Sequence, residues 1–168
     1  EGTLLTDTYH FWYVAKSYFD ASYSPIFPLG YEQQKEYARR AIFYFKSWMN
    51  HTIDYDSKGY TGGVNEMAYY TLYCIGEMYK LMGDFEKALE SYMLAEPFCN
   101  IRNEHIVGLA ECYRDIGDFE SMRHQTERLV DPQRKLPFPQ CYFLVNNSLY
   151  IDSGNRGKEL HQIAFQTV

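Results

Sequence analysis

Runs of basic residues are missing from this chain. Its 16 Lys and Arg are scattered against 22 Asp and Glu, for a net charge of −6, so no stretch matches a phosphate backbone and a nucleic-acid partner is not expected. No apolar run approaches the ~20 residues of a membrane-spanning helix. Four cysteines, Cys74, Cys99, Cys112 and Cys141, never come close enough in sequence for a C-x2-C knuckle. They read as reduced thiols of a cytoplasmic protein, two of them small apolar fillers within helices. Five histidines, His10, His51, His105, His124 and His161, show no H-x3-H or H-E-x2-H spacing, and no metal site is expected. No serine lies in G-x-S-x-G, and no cysteine has a local activating partner. Gly59-Tyr60-Thr61-Gly62-Gly63 lacks the Lys-Ser/Thr that completes a phosphate loop and reads as a flexible linker. Neither catalysis nor a cofactor is expected within this segment.

What is present is a globular composition, 46% hydrophobic and 23% charged over 168 residues, enough for one domain with a sizeable core. The organising stretch is 69–100. Leu72, Ile75, Gly76, Tyr79, Ala88, Tyr92 and Ala95 stand at the spacings of the tetratricopeptide pattern, in which two antiparallel helices approach closely where residues are small. Gly76 and Ala88 are the expected contact points, with Ile75, Tyr79, Leu89 and Tyr92 filling the seam. Between them, Gly83 supplies a left-handed residue that ends one helix and Asp84 caps the next. A single hairpin cannot bury its apolar face alone, so a second copy is expected. Adding 34 to each position leads from Leu72 to Ile106, Ile75 to Leu109, Gly76 to Ala110, Tyr79 to Tyr113, and Gly83-Asp84-Phe85 to Gly117-Asp118-Phe119. The second helix of this copy reads as weak, because Ala88 becomes Met122 and Tyr92 becomes Thr126.

Upstream, Phe11, Val14, Ala15 and Tyr18 mark another first helix from Asp7 onward, with Thr6 or Asp7 as its cap. Beyond it, Pro25, Pro28 and Gly30 forbid a continuous helix. The second helix of this copy is expected over Gln33 to Asn50, where Ala41, Phe45 and Trp48 mirror Ala88, Tyr92 and Ala95. Residues 51–66 are polar and glycine-rich and read as a loop. Downstream, Pro132, Pro137 and Pro139 break helix, and a last partial repeat comes after them. The expected fold is therefore all-α, with antiparallel helix-hairpin repeats over 7–50, 67–100 and 101–134 and a partial one over 141–168, stacked into a short right-handed superhelix. A chain opening at Glu1 and moving directly into helix reads as a piece of something longer.

FWYVAKSYFD, Gly62-Gly63 before Glu66-Met67-Ala68-Tyr69-Tyr70, YCIGEMYKLMGDFEKALESYMLAEPF, Arg102-Asn103-Glu104 before GLAECYRDIGDF, and CYFLVNNSLYID stand in the order seen in a known family. Together they resemble the C-terminal tetratricopeptide-repeat tail of family 2 glycosyltransferases. The resemblance implies a nucleotide-sugar catalytic domain elsewhere in the parent chain, and an accessory, non-catalytic role here: positioning the acceptor or mediating self-association. It implies as partners that catalytic domain or another copy of this chain, with a glycan or peptide acceptor. The alternative is a free-standing adaptor that binds a peptide in its groove. Asp54-Tyr55-Asp56 has the D-x-D spacing with which such transferases hold a metal, but its setting in a polar loop between helices reads as a solvated turn.

Helical repeats present a concave groove lined by the first helix of each pair. The register places Tyr9, Trp12 and Lys16 there in the first copy, Tyr70, Tyr73, Glu77 and Lys80 in the second, and Glu104, Val107, Glu111 and Arg114 in the third. Seventeen tyrosines offer more ring area than the seams require, and rings with a polar edge suit a sugar face or a peptide. Arg102 and Glu104 stand before a first helix, to bind a ligand or to hold the turn between repeats.

Overall fold

The two Gly-Asp-Phe corners adopt one conformation. Gly83 has φ +79° and Gly117 φ +83°, the left-handed region that glycine enters without a Cβ penalty. The Gly83 amide donates to the Lys80 carbonyl at 3.0 Å and the Asp84 amide to Tyr79 at 2.9 Å; the Gly117 amide donates to Arg114 at 3.0 Å and the Asp118 amide to Tyr113 at 2.9 Å. Such paired bonds satisfy the last carbonyls of a helix. Each aspartate then opens the next helix, its carboxylate accepting from the Lys87 or Ser121 amide, which satisfies a free donor of the first turn.

The computed structural model describes residues 3–24, 29–56, 64–98 and 102–129. Among these residues there are six α-helices and no strand: α1 (Thr3–Ser22), α2 (Tyr31–Asp56), α3 (Val64–Leu81), α4 (Phe85–Ala95, followed by a 3-10 turn over Glu96–Phe98), α5 (Glu104–Ile116) and α6 (Phe119–Arg128). No described helix is long and apolar enough to cross a membrane. The chain divides into two units, Glu1–Cys99 and Asn100–Val168. In the first, α1 packs on α2, α2 on α3, and α3 on α4; in the second, α5 packs on α6.

The helices form where apolar residues recur every three or four positions. In each second helix the same three places are buried: Ala41, Phe45 and Trp48 in α2, Ala88, Tyr92 and Ala95 in α4, Met122, Thr126 and Leu129 at and just after α6. The α6 helix forms despite its weak pattern, and buried Thr126 donates its hydroxyl to the Met122 carbonyl at 2.8 Å, so that hydroxyl is not left unpaired. In the first helices Ala15, Gly76 and Ala110 hold the small-residue position, and both alanines are fully buried.

Several expectations need correction. Helix α1 is already under way at Thr3, so Thr6 and Asp7 lie within it and neither is its cap. Val14, at the place of Ile75, is 39% exposed while Ile75 is 2% exposed. Ile75 packs in a cluster with Phe45 of α2. Helix α2 begins at Tyr31 and continues through Asp56, so the backbone of Asp54-Tyr55-Asp56 is its end and not a turn in a loop. The linker glycines at 59–63, Cys99, Cys141 and the partial repeat at 141–168 lie outside the described residues.

The Asp84 corner carries a pH signature. A hydrogen bond from Lys87 Nζ at 2.5 Å, with the Lys87 amide adding to it, holds the Asp84 carboxyl below its ordinary value and raises the Lys87 ammonium. A depressed folded value contributes stability above the unfolded value, and that contribution is lost as pH falls through the folded one. An Asp84→Asn variant should therefore show a shallower loss of stability than the parent between about pH 5 and pH 2 in urea titrations; parallel curves would contradict the assignment.

Candidate functional site

Helix periodicity places Tyr9, Trp12, Tyr13 and Lys16 within two turns of α1, and Tyr70, Tyr73, Glu77 and Lys80 along α3. Packing in the first unit brings the two sets together. The Trp12 indole N–H donates to the Thr71 hydroxyl at 3.0 Å, a contact between α1 and α3 that satisfies both polar groups at a part-buried seam. Ring succeeds ring from there. Trp12 lies 5.6 Å from Tyr13 and 6.2 Å from Tyr70, Tyr70 lies 6.3 Å from Tyr73, and Tyr73 lies 6.0 Å from Tyr92 of α4. These are ordinary distances for tilted and edge-on aromatic pairs. Tyr9 and Tyr13 are the outward members, 41% and 62% exposed.

Glu77 is the polar centre of this surface. Its Oε1 accepts from the Tyr92 hydroxyl at 2.6 Å and from Lys80 Nζ at 2.9 Å. The Tyr23 hydroxyl, just past the end of α1, lies 3.2 Å from the Glu77 carbonyl and 3.4 Å from Oε2. Helices α3 and α4 and the residue that follows α1 thus meet at Glu77. Lys16 is paired in the same local way, to Asp20 one turn on at 2.5 and 2.7 Å. The two cations of this face are each answered by an acid on their own helix, which leaves aromatic edges and neutralised pairs rather than a free positive charge.

In the second unit, Arg102 Nη1 meets Glu104 Oε1 at 3.1 Å, and Glu104 Oε2 accepts from the Asn103 amide at 3.1 Å. Glu104 thereby makes local contacts at the start of its own helix. Arg114 Nε donates to Asp115 at 2.9 Å. Of the expected site residues, Trp12, Tyr73 and Glu77 are linked through ring and hydrogen-bond contacts in the first unit, where Tyr9 lies exposed on α1, and Arg102, Glu104 and Arg114 belong to the second unit. Sequence reasoning placed Tyr92 in the seam, where it lies fully buried, and missed Tyr23 and the buried Thr71 that ties Trp12 to α3. Thr71, the lone aliphatic hydroxyl amid apolar positions of α3, was the available signal.

Among the described residues, no group of three or more His, Cys, Asp or Glu could hold a metal ion. Cys74 is fully buried, and that burial pushes its thiol up to about 12. Since the thiolate is the nucleophile, Cys74 should resist iodoacetamide at pH 8 in the folded chain and react once the chain is denatured. Peptide mapping that found Cys74 alkylated as fast in native protein as in guanidinium would contradict this packing.

No protein-family model matches the chain, and neither does any curated protein.

Proposed function

We propose that this chain is a non-catalytic binding module of tetratricopeptide-like hairpins stacked into a short right-handed superhelix, serving as the accessory domain of a glycosyltransferase and positioning its acceptor. The observation that supports the binding role is the part-exposed Trp12–Tyr70–Tyr73 row beside Glu77, with buried Tyr92 behind it holding the Glu77 carboxylate together with Lys80. A surface of ring faces and hydroxyl edges already fixed by internal contacts loses little entropy on binding. Because Lys16 and Lys80 are paired with Asp20 and Glu77, this face supports a neutral ligand with many hydroxyls better than the carboxylate of a peptide tail, and so favours the glycan acceptor over the adaptor alternative. The attachment to a transferase rests on the resemblance in sequence order; a cytoplasmic place and a role in self-association belong to the same proposal.

Two experiments test it. Titrating the chain with neutral tetrasaccharides of glucose, galactose and N-acetylglucosamine should give saturable NMR shifts at Tyr13, Tyr70 and Tyr73 with at least one of them, weakened about tenfold by Tyr73→Ala. Trp12 packs against Phe45 of the core as well as facing this surface, so Trp12→Phe is the safer second probe than Trp12→Ala. Shifts with none of the sugars, or unchanged affinity in the Tyr73 variant, would remove the groove. Reading the coding sequence upstream of Glu1 tests the parent: an α/β segment with an acidic pair supports it, and a nearby start codon with no such segment opposes it.

A further inference from the structure

A second hollow uses a different side of α3. A cavity of about 300 Å³ is lined by Lys46, Met49 and Asn50 of α2, Leu72, Ile75 and Tyr79 of α3, and Lys87, Glu90, Ser91 and Leu94 of α4. None of these is among the residues of the aromatic row. Its volume is at the small end of the range for small-molecule sites, room for a metabolite-sized acid but not a nucleotide.

The lining is polarised along its length. Neighbouring helices in a hairpin run antiparallel, so Lys46, Tyr79 and Lys87 gather at one end, while Leu72 and Leu94 lie at the other. Lys46 Nζ donates to the Tyr79 hydroxyl at 3.0 Å and stands 5.4 Å from that ring's centre. Lys87 Nζ stands 5.6 Å from the same ring and pairs with Asp84. One phenol thus stands beside two ammonium groups, bonded to that of Lys46, at the mouth of a trough whose floor is formed by Met49, Leu72, Ile75 and Leu94. Among the described residues Lys46 meets no carboxylate, and an ammonium has three donors, so one hydrogen bond to a phenol leaves it able to take an anion. Glu90 on the rim sets an upper limit to the charge, since a dianion would meet it as well.

We propose that this trough binds a small organic monocarboxylate, its carboxylate against Lys46, since Lys87 is already paired with Asp84, and its hydrocarbon tail along Ile75, Leu72 and Leu94. The charge-assisted bond gives orientation, and the apolar floor gives the preference for a tail. The site does not depend on the acceptor-binding role proposed above.

Hexanoate is the probe, followed by amide and methyl NMR on the full chain. Saturable shifts are expected at Leu72, Ile75, Tyr79 and Leu94, with hexan-1-ol, acetate and inorganic phosphate each weaker by about tenfold or more. Lys46→Met, which keeps the stem of an exposed side chain, should weaken hexanoate about tenfold while Lys46→Arg retains it. Equal binding of hexan-1-ol would show a merely greasy cleft, and equal binding of acetate or phosphate a merely cationic one; either overturns the proposal. So would hexanoate shifts unaffected by Lys46→Met, or no shifts at those four residues.

Discussion

Gly76→Ala is expected to destabilise the chain, by up to about 2 kcal/mol, against the usual direction of that substitution. Alanine within a helix is favoured over glycine by about 0.8–1 kcal/mol, so a glycine with open space around it would gain stability on replacement. At Gly76 a Cβ would lie 2.5 Å from Tyr92 Cε1 and 2.7 Å from Cδ1, well inside contact distance. The ring cannot swing away cheaply. Tyr92 is fully buried, its hydroxyl is held by Glu77 at 2.6 Å, and Tyr73 stands against it. Overpacking of this kind costs about 1–3 kcal/mol, which outweighs the gain in propensity, and Gly76→Leu should cost more. Urea unfolding of Gly76→Ala alone and on a Tyr92→Leu background separates the two effects. The close approach predicts destabilisation in the first and its relief in the second; stabilisation by alanine in the parent chain would mean that α3 and α4 stand further apart.

Phe45→Ala should have the largest effect on stability, about 3–5 kcal/mol. Phe45 is fully buried in the cluster that includes Ala15, Ala38, Ala41, Ile75 and Met78, with residues from α1, α2 and α3. Trp12 meets it edge-on at 6.3 Å. Removing the ring takes away the burial of a large side chain and leaves a hollow that three helices must close together. The midpoint in urea should fall and the near-ultraviolet signal of Trp12 should weaken. A loss below about 1 kcal/mol would place Phe45 outside any such centre, since surface truncations rarely cost more.

The parts of this fold that were legible in sequence are those with one chemical solution. A left-handed residue followed by a capping acid is written Gly-Asp, so both corners could be located, and with them the register of Leu72, Ile75, Ile106 and Leu109. The burial of Ala41, Phe45 and Trp48 followed from their spacing alone. Helix ends were less legible. Most of His51 to Asp56 is polar, and a polar stretch can continue a helix as well as form a loop, so α2 runs on where a loop was expected. Val14 has the right residue type at the right spacing, yet its exposure depends on which helix lies beside it. Contacts far apart in sequence left the least trace. The Trp12–Thr71 hydrogen bond joins residues 59 apart, and Tyr23 reaches Glu77 across 54; neither has a periodic mark that local reading can detect. The candidate site was therefore half visible: Trp12, Tyr73 and Glu77 from register, Tyr23 and the buried Thr71 behind Trp12 only from packing.

The central claim is that Gly83 and Gly117 turn the chain in the same way between paired helices. Backbone NMR of the full chain tests this directly, through the φ-dependent couplings of the two glycines and the exchange rates of the Asp84 and Asp118 amides. The account predicts positive φ at both glycines and slowed exchange at both aspartates, since each amide donates at 2.9 Å to a helix carbonyl five residues back. A glycine at negative φ, or one aspartate amide exchanging as freely as in an unfolded chain, would contradict it.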